Sequence, residues 1–171
     1  MAADASPRMT RVDVISDTHG NLSKELLAQL AGADVIVHAG DITSRADYET
    51  LRGIAPTHLC LGNNDWGYDY GPEVKKVVRF YVDDLLFCVA HYHESIVGQE
   101  FDVGVCGHTH DPFVRRHRGG TYVMNPGSTT FPRGEMGPTM GRIIIVGGKV
   151  RTATIVPLDP DWATRERHGW F

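Results

Sequence analysis

Apolar runs rich in β-branched residues recur along this chain, and most of them break off at a polar cluster that contains glycine. Residues 11–16 alternate in the period-two manner of a strand and lead into Asp17. Leu22, Leu26, Leu27 and Leu30 then recur at helical spacing behind Asn21, a residue type suited to capping that helix. The signals repeat: a strand over Asp34–Ala39 reaches Asp41, a helix-like stretch covers Ser44–Arg52, and a strand over His58–Leu61 reaches Asn63. Two consecutive strand-helix-strand units predict parallel strands joined by right-handed crossovers.

The second half changes character. Lys76–Val82 and Leu85–Ala90 flank Asp83-Asp84, Phe113–His117 and Thr121–Met124 flank a turn ending in Gly119-Gly120, and Met140–Val146 and Lys149–Pro157 flank Gly147-Gly148. Each reads as a hairpin, so the C-terminal half is predicted to be rich in strands and to build a second sheet. A further strand is expected over Val103–Cys106. The tail from Asp159 to Phe171 is polar apart from residues such as Trp162 and Trp170, and the pattern assigns it no element.

With 171 residues, 42% of them hydrophobic, the chain suits one domain with a sizeable core, expected over 10–158 between an N-terminal tail (1–9) and a C-terminal tail (159–171). A formal net charge of −4 leaves no broad basic surface for non-specific nucleic-acid binding, so any phosphorylated partner should be small. The first residues lack the apolar stretch of a signal peptide and no run of eighteen apolar residues occurs, so the expectation is a soluble cytoplasmic protein with no membrane partner. Cys60, Cys88 and Cys106 each lie inside an apolar segment, without zinc-type spacing, and are expected to be buried free thiols.

The chemistry lies in what ends the strands: Asp17-Thr18-His19, Gly40-Asp41, Gly62-Asn63, His91 and Gly107-His108-Thr109-His110. An open α/β sheet places its chemistry at strand ends, and imidazole and carboxylate side chains are metal ligands. On an extended chain, Asp17 and His19 point the same way, as do His108 and His110. Each cluster alone reads more readily as a helix cap or a turn than as a metal ligand. Separate capping roles, however, do not call for metal-competent side chains after five different strands, and the joint occurrence favours a metal site.

At this point the sequence resembles the calcineurin-like metallophosphoesterases, and more nearly the small bacterial and archaeal phosphodiesterases of the YfcE type. The matching segments are Ser16-Asp-Thr-His-Gly20, His38-Ala-Gly-Asp41, Leu61-Gly-Asn-Asn-Asp65, Ala90-His91, Cys106-Gly-His-Thr-His110 and Asn125-Pro-Gly-Ser128 with Pro132-Arg133. They run in the family's order. The resemblance implies an α/β fold, a four-layer αββα sandwich of two mixed β-sheets, and two divalent metal ions. Asp17, His19 and His110 would hold one ion and Asn63, His91 and His108 the other, with Asp41 bridging. Asp41, Asn63 and His108 are the expected catalytic residues, the Asn125 loop a support. Manganese is the first choice on family grounds; nickel, iron or zinc also suit such ligands. Two ions about 3.5–4 Å apart can orient a phosphate and activate a bridging water.

Three departures from the family pattern refine the expectation. Asn64 stands where many members of the wider superfamily have a histidine proposed to protonate the leaving group; an amide cannot do so, which argues for diesters over monoesters. His91-Tyr92-His93 replaces the usual His-Gly-His: Tyr92 either narrows the pocket, stacks on a base or aryl group, or simply packs, and His93 either contacts phosphate, donates a proton in place of the missing histidine, or, as the favoured reading, is a surface or core histidine. Only His93–Glu100 separates the His91 strand from the next, too short for the usual helix, so one sheet face should be poorly covered, favouring a homo-oligomer or an open cleft. Arg115-Arg116-His117-Arg118 reads as a solvated hairpin. The expected activity is a metal-dependent phosphodiesterase acting on a small diester or nucleotide-like substrate. A catalytically weak or inactive interaction scaffold of the same fold, and a phosphomonoesterase or nucleotide pyrophosphatase, are the alternatives.

Overall fold

A computed structural model describes residues 5–165, and its elements follow the apolar pattern closely. In chain order they are β1 (Met9–Ile15), α1 (Lys24–Leu30), β2 (Val35–His38), α2 (Arg45–Ile54), β3 (Thr57–Leu59), β4 (Val77–Val82), β5 (Leu85–Ala90), a 3-10 turn (His93–Ser95), β6 (Val103–Val105), β7 (Phe113–Arg116), β8 (Tyr122–Asn125), β9 (Thr139–Val146), β10 (Lys149–Pro157) and α3 (Trp162–Arg165). Residues 1–4 of the expected N-terminal tail, and Trp170 with the rest of 166–171, lie outside the described residues.

Two five-stranded mixed sheets result, ordered β10-β9-β1-β2-β3 and β4-β5-β6-β8-β7. β1, β2 and β3 are parallel, as the strand-helix-strand units require. In the second sheet β5, β6 and β8 are parallel between antiparallel β4 and β7. The third hairpin does not join the second sheet; β9 pairs antiparallel with β1 and extends the first. Its alternation decides this. Ile143 and Ile145 turn into the core between the sheets while Met140 meets the helical layer.

The core between the sheets is built from inward residues of both, among them Val12, Val14 and Val37 facing Phe87, Val89, Val105 and Met124. Leu26 and Leu30 of α1 and Tyr48 and Leu51 of α2 cover the other face of the first sheet over Ile15 and Ile36. The N-cap of α1 is Ser23 rather than Asn21, because the Ser23 hydroxyl accepts the Leu26 N–H at 3.1 Å while the Asn21 N–H closes a turn on the Thr18 carbonyl. The outer face of the second sheet carries only the short 93–101 connection, so the outer helical layer shrinks to a 3-10 turn. Ile96 and Phe101 lie there over Gly104, where a Cβ would collide with the Phe101 ring. Val97 and Tyr81 stay exposed, as the short connection leads one to expect. The three cysteines are buried and free. In the C-terminal segment, Leu158 is buried and Trp162 packs over Gly137, so the segment is docked as far as Trp162.

One buried polar group anchors α1. Asp13 is fully buried, and both Arg11 (2.7 Å) and Arg142 (2.8 Å) bind its carboxylate; the same guanidinium groups donate to the Gln29 carbonyl at the end of the helix. Removing the carboxylate strands two partly buried guanidinium groups, and breaking such a cluster costs about 3 kcal/mol or more. Asp13→Ala should therefore shift the urea unfolding curve to markedly lower midpoint; a midpoint within a few tenths molar of the parent would show that the cluster contributes little.

Candidate metal centre

The C-terminal ends of β1, β2, β3, β5 and β6 converge, and Asp17, His19, Asp41, Asn63, His91, His108 and His110 come together there. The loops that follow these strands are stitched to one another: Asp17 N–H donates to the Gly40 carbonyl, His19 N–H to that of Asp41 and Gly107 N–H to that of His91, each at 3.0 Å. The backbone is not extended at the Asp17 and His108 pairs, as the spacing alone suggested. Asp17 (φ 53°), His19 (48°), Asp41 (57°), His108 (69°) and His110 (58°) all occupy the left-handed region, which non-glycine residues enter at a cost. Among the described residues only Thr43 and Asp83 share that property outside glycine. Side chains converge because alternate residues turn left-handed, not because a strand continues.

Two glycines make the close approach workable. A Cβ on Gly62 would strike the Asp41 carboxylate and backbone N, and one on Gly107 would strike the Ser16 hydroxyl and the Asp17 carboxylate.

The strain is offset by residues whose roles the sequence did not reveal. Asp65, fully buried, accepts the N–H groups of Asp41 and Gly62 on one oxygen (2.8 Å each), and on the other the Thr43 N–H (2.9 Å) and the Tyr70 hydroxyl (3.1 Å). His38 is buried, accepts the Gly40 N–H on Nδ1, and meets the Thr18 hydroxyl through Nε2; burial pushes it down to about 3, so its ring is neutral. The Asn125 loop does what its position suggested: Asn125 donates to the Gly107 carbonyl, Ser128 to that of Asp17, and Thr130 to that of Thr18. The signals were present, in polar residues flanking strand ends, but a backbone acceptor role has no sequence spacing.

The electrostatics show what the site is suited to hold. His91 Nδ1 lies 2.7 Å from the Ala39 carbonyl and His110 Nδ1 lies 2.6 Å from that of Phe131, so each Nδ1 carries a proton, and in its neutral form each ring turns the Nε2 lone pair inward. Those lone pairs face acceptors. His91 Nε2 is 2.9 Å from Asn63 Oδ1, 3.4 Å from Asp41 Oδ2 and 3.8 Å from Asp17 Oδ1, and His110 Nε2 is 3.2 Å from Asp17 Oδ1. Asp17 Oδ1 and His19 Nε2 are buried with no hydrogen-bond partner. Acceptors aimed at acceptors repel unless a cation, or protons on the rings, intervene.

The titration directions agree. Burial pushes Asp17 up, but His110, the Ser16 hydroxyl and His91 outweigh it and hold the carboxyl low. Burial likewise opposes ionisation of Asp41, and hydrogen bonds from His91 and Asn64 prevail and lower it. His110 is raised by the Asp17 carboxylate, and His91 is raised because Asp41 and Asp17 outweigh the burial that would depress it. Two ligand sets, Asp17/His19/His110 and Asp17/Asp41/His91, have donor atoms within 4.8 Å of one another. They share Asp17, while His108 Nδ1 reaches the site through Asn63 Oδ1 at 3.2 Å.

The three further sequence candidates fall differently. The Asn64 amide donates to Asp41 Oδ2 at 2.8 Å, its own N–H to Asp41 Oδ1 at 2.9 Å. Tyr92 lies with its ring 4.6 Å from that of His108. His93 stands apart: its ring meets Phe113 edge-on at 6.4 Å and lines the outer face of the second sheet with Ile96 and Phe101.

Residues 10–147 match the family described as the calcineurin-like phosphoesterase superfamily domain. A probable metallophosphoesterase from Methanothermobacter thermautotrophicus is 31% identical over 140 residues, covering 71% of this chain and 78% of that protein. Among solved structures, the Escherichia coli phosphoesterase Yfce superposes with a TM-score of 0.60 at 23% identity, covering 88% of this chain and 100% of that one. Vacuolar protein sorting 29 from Cryptosporidium parvum superposes with a TM-score of 0.69 at 17% identity, covering 86% and 97%.

Asp65 offers a test of the strained scaffold. In Asp65→Asn, either amide orientation turns an NH₂ toward two donors, which costs roughly 2 kcal/mol. The expected result is a lower denaturation midpoint together with weaker Mn²⁺ binding by calorimetry. Unchanged values of both would remove Asp65 from the site's support.

Proposed function

The chain belongs to the calcineurin-like phosphoesterase superfamily, and on that footing we propose that it is a metal-dependent phosphodiesterase acting on a small diester or nucleotide-like substrate. The observation that carries this reading is the set of inward lone pairs: Asp17 Oδ1, Asp41 Oδ2 and the Nε2 atoms of His91 and His110 converge with only the Asn64 amide donating among them, to Asp41, and Asp17 Oδ1 and His19 Nε2 are orphaned. This donor set fits divalent cations. Asp17, His19 and His110 would hold one ion, Asn63, His91 and His108 the other, with Asp41 between them and manganese the first choice over nickel, iron or zinc. When bound, such a pair supplies Lewis acidity toward the phosphoryl oxygens and a nucleophile at neutral pH.

The chain's own residues set the preference. The carbonyls of Ala39 and Phe131 fix the tautomers of His91 and His110 and so keep their lone pairs on the site. Asn64 donates its side-chain amide to the Asp41 carboxylate, and an amide is too weak an acid to protonate a leaving group. A departing alkoxide receives no proton from that position, so esters with acidic leaving groups should react best. His93, turned toward Phe113, does not replace the missing acid.

Chelated protein reloaded with Mn²⁺ should cleave bis-p-nitrophenyl phosphate faster than p-nitrophenyl phosphate, and His108→Ala should lose that turnover. Asn64→His should accelerate esters with poor leaving groups by at least about 10²-fold relative to nitrophenyl esters. Equal acceleration of both would refute the assignment of Asn64. No turnover with any ion, by folded protein that binds two, would favour a scaffold of the same fold.

A further inference from the structure

A cavity of about 320 Å³ opens directly beside the candidate metal centre, lined by Leu61, Asn63, Lys76, His91, Tyr92 and Ser95. Three of these residues belong to the centre or touch it; Lys76 belongs to neither, and its presence is set by two backbone registers. β4 pairs antiparallel with β5 so that Val77 lies opposite Ala90, which brings the residues that adjoin them, Lys76 and His91, to the same end of the strand pair. Independently, Lys75 bridges Cys60 in parallel and its carbonyl accepts the Leu61 N–H at 2.9 Å, which lays the 75–76 segment along the approach to Gly62 and Asn63. Lys76 thereby joins the lining of the cavity from the edge of the second sheet.

Lys76 is exposed, and among the described residues no carboxylate lies within ion-pair distance of it. Next to two buried carboxylates, in a chain of net charge −4, this is the one cation among the residues that line the cavity. Tyr92 is 41% exposed, with its ring 4.6 Å from that of His108 and 5.4 Å from that of His91, and it lines the cavity next to the centre. An aromatic wall and a free ammonium recognise different halves of a ligand: a planar ring and an anion.

We infer that this cavity receives the organic arm of the phosphate ester, and that the arm it selects is a planar group bearing its own negative charge, that is, a nucleotide. The ring lies against Tyr92, the arm's own phosphate pairs with Lys76, and Leu61 supplies an apolar floor. The volume sits at the lower end of the range for small-ligand sites, about 300–1,000 Å³, so the cavity takes one nucleotide arm and leaves the scissile phosphate outside it, at His91 and His108. The inference deepens the phosphodiesterase reading and rests on it, since it concerns which diester that site would cleave.

Two measurements separate the subsite from the activity. Calorimetry on chelator-treated protein should show AMP binding roughly three- to tenfold tighter than adenosine, the discrimination one charge-assisted contact provides. Lys76→Ala should abolish that preference and Lys76→Arg should keep it, while Tyr92→Ala should weaken both ligands. With Mn²⁺-loaded protein, kcat/KM should favour the dinucleotide pApA over ApA, and Lys76→Ala should bring the two together. An AMP-to-adenosine ratio unchanged in Lys76→Ala, or affinity for both unaffected by Tyr92→Ala, would overturn the subsite. If the binding preference depends on Lys76 but no dinucleotide is cleaved, the subsite stands and the phosphodiesterase reading falls.

Discussion

Everything at the working end of this protein answers to one constraint: several hydrogen-bond acceptors are pointed at the same small volume with only the Asn64 amide donating among them, to Asp41. Asp17 Oδ1, Asp41 Oδ2, Asn63 Oδ1 and the Nε2 atoms of His91 and His110 crowd together because the carbonyls of Ala39 and Phe131 have already claimed the ring protons. Such an arrangement is unfavourable for the protein alone. It is held by left-handed backbone at five of the candidate ligands and by a surrounding set of donors and acceptors, Asp65, Asn125 and Ser128 among them, that fix the loops from behind. The fold stores unfavourable geometry where a cation can relieve it.

Much of this was legible in the sequence. Strand periodicity and the polar clusters that ended the strands located β1, β2 and β3 and brought out the candidate ligands, because both signals are local. Asp13 looked like an ordinary polar position in an alternating strand, yet it is the fully buried partner of two arginines, one of them from β9. The partition of strands between sheets was equally hidden: the third hairpin completes the first sheet through β9 and β1, a pairing more than a hundred residues apart in sequence. Asp65 and His38 lay inside recognisable segments, but an acceptor for backbone N–H groups leaves no spacing to read. The spacing of Asp17 and His19 suggested the right convergence for the wrong reason, since the backbone turns left-handed there.

The short connection after β5 has consequences at both of its ends. On the outer face of the second sheet it leaves a 3-10 turn in place of a helix, with Ile96 and Phe101 packed over Gly104 and Val97 exposed. At the site, the same economy turns the chain immediately after His91, so Tyr92 and Ser95 line the cavity next to Asn63 and His91. One shortened crossover thus thins a layer of the fold and furnishes a wall of the site.

The central claim is that this geometry is built for a pair of cations. Electron paramagnetic resonance of the protein titrated with Mn²⁺, with the bound metal counted per chain, tests it most directly. The account requires two ions per folded chain and the spectrum of a spin-coupled pair, because the two candidate ligand sets share Asp17 and ions held by both would lie close together. A single uncoupled ion, or none, bound by correctly folded protein would contradict it.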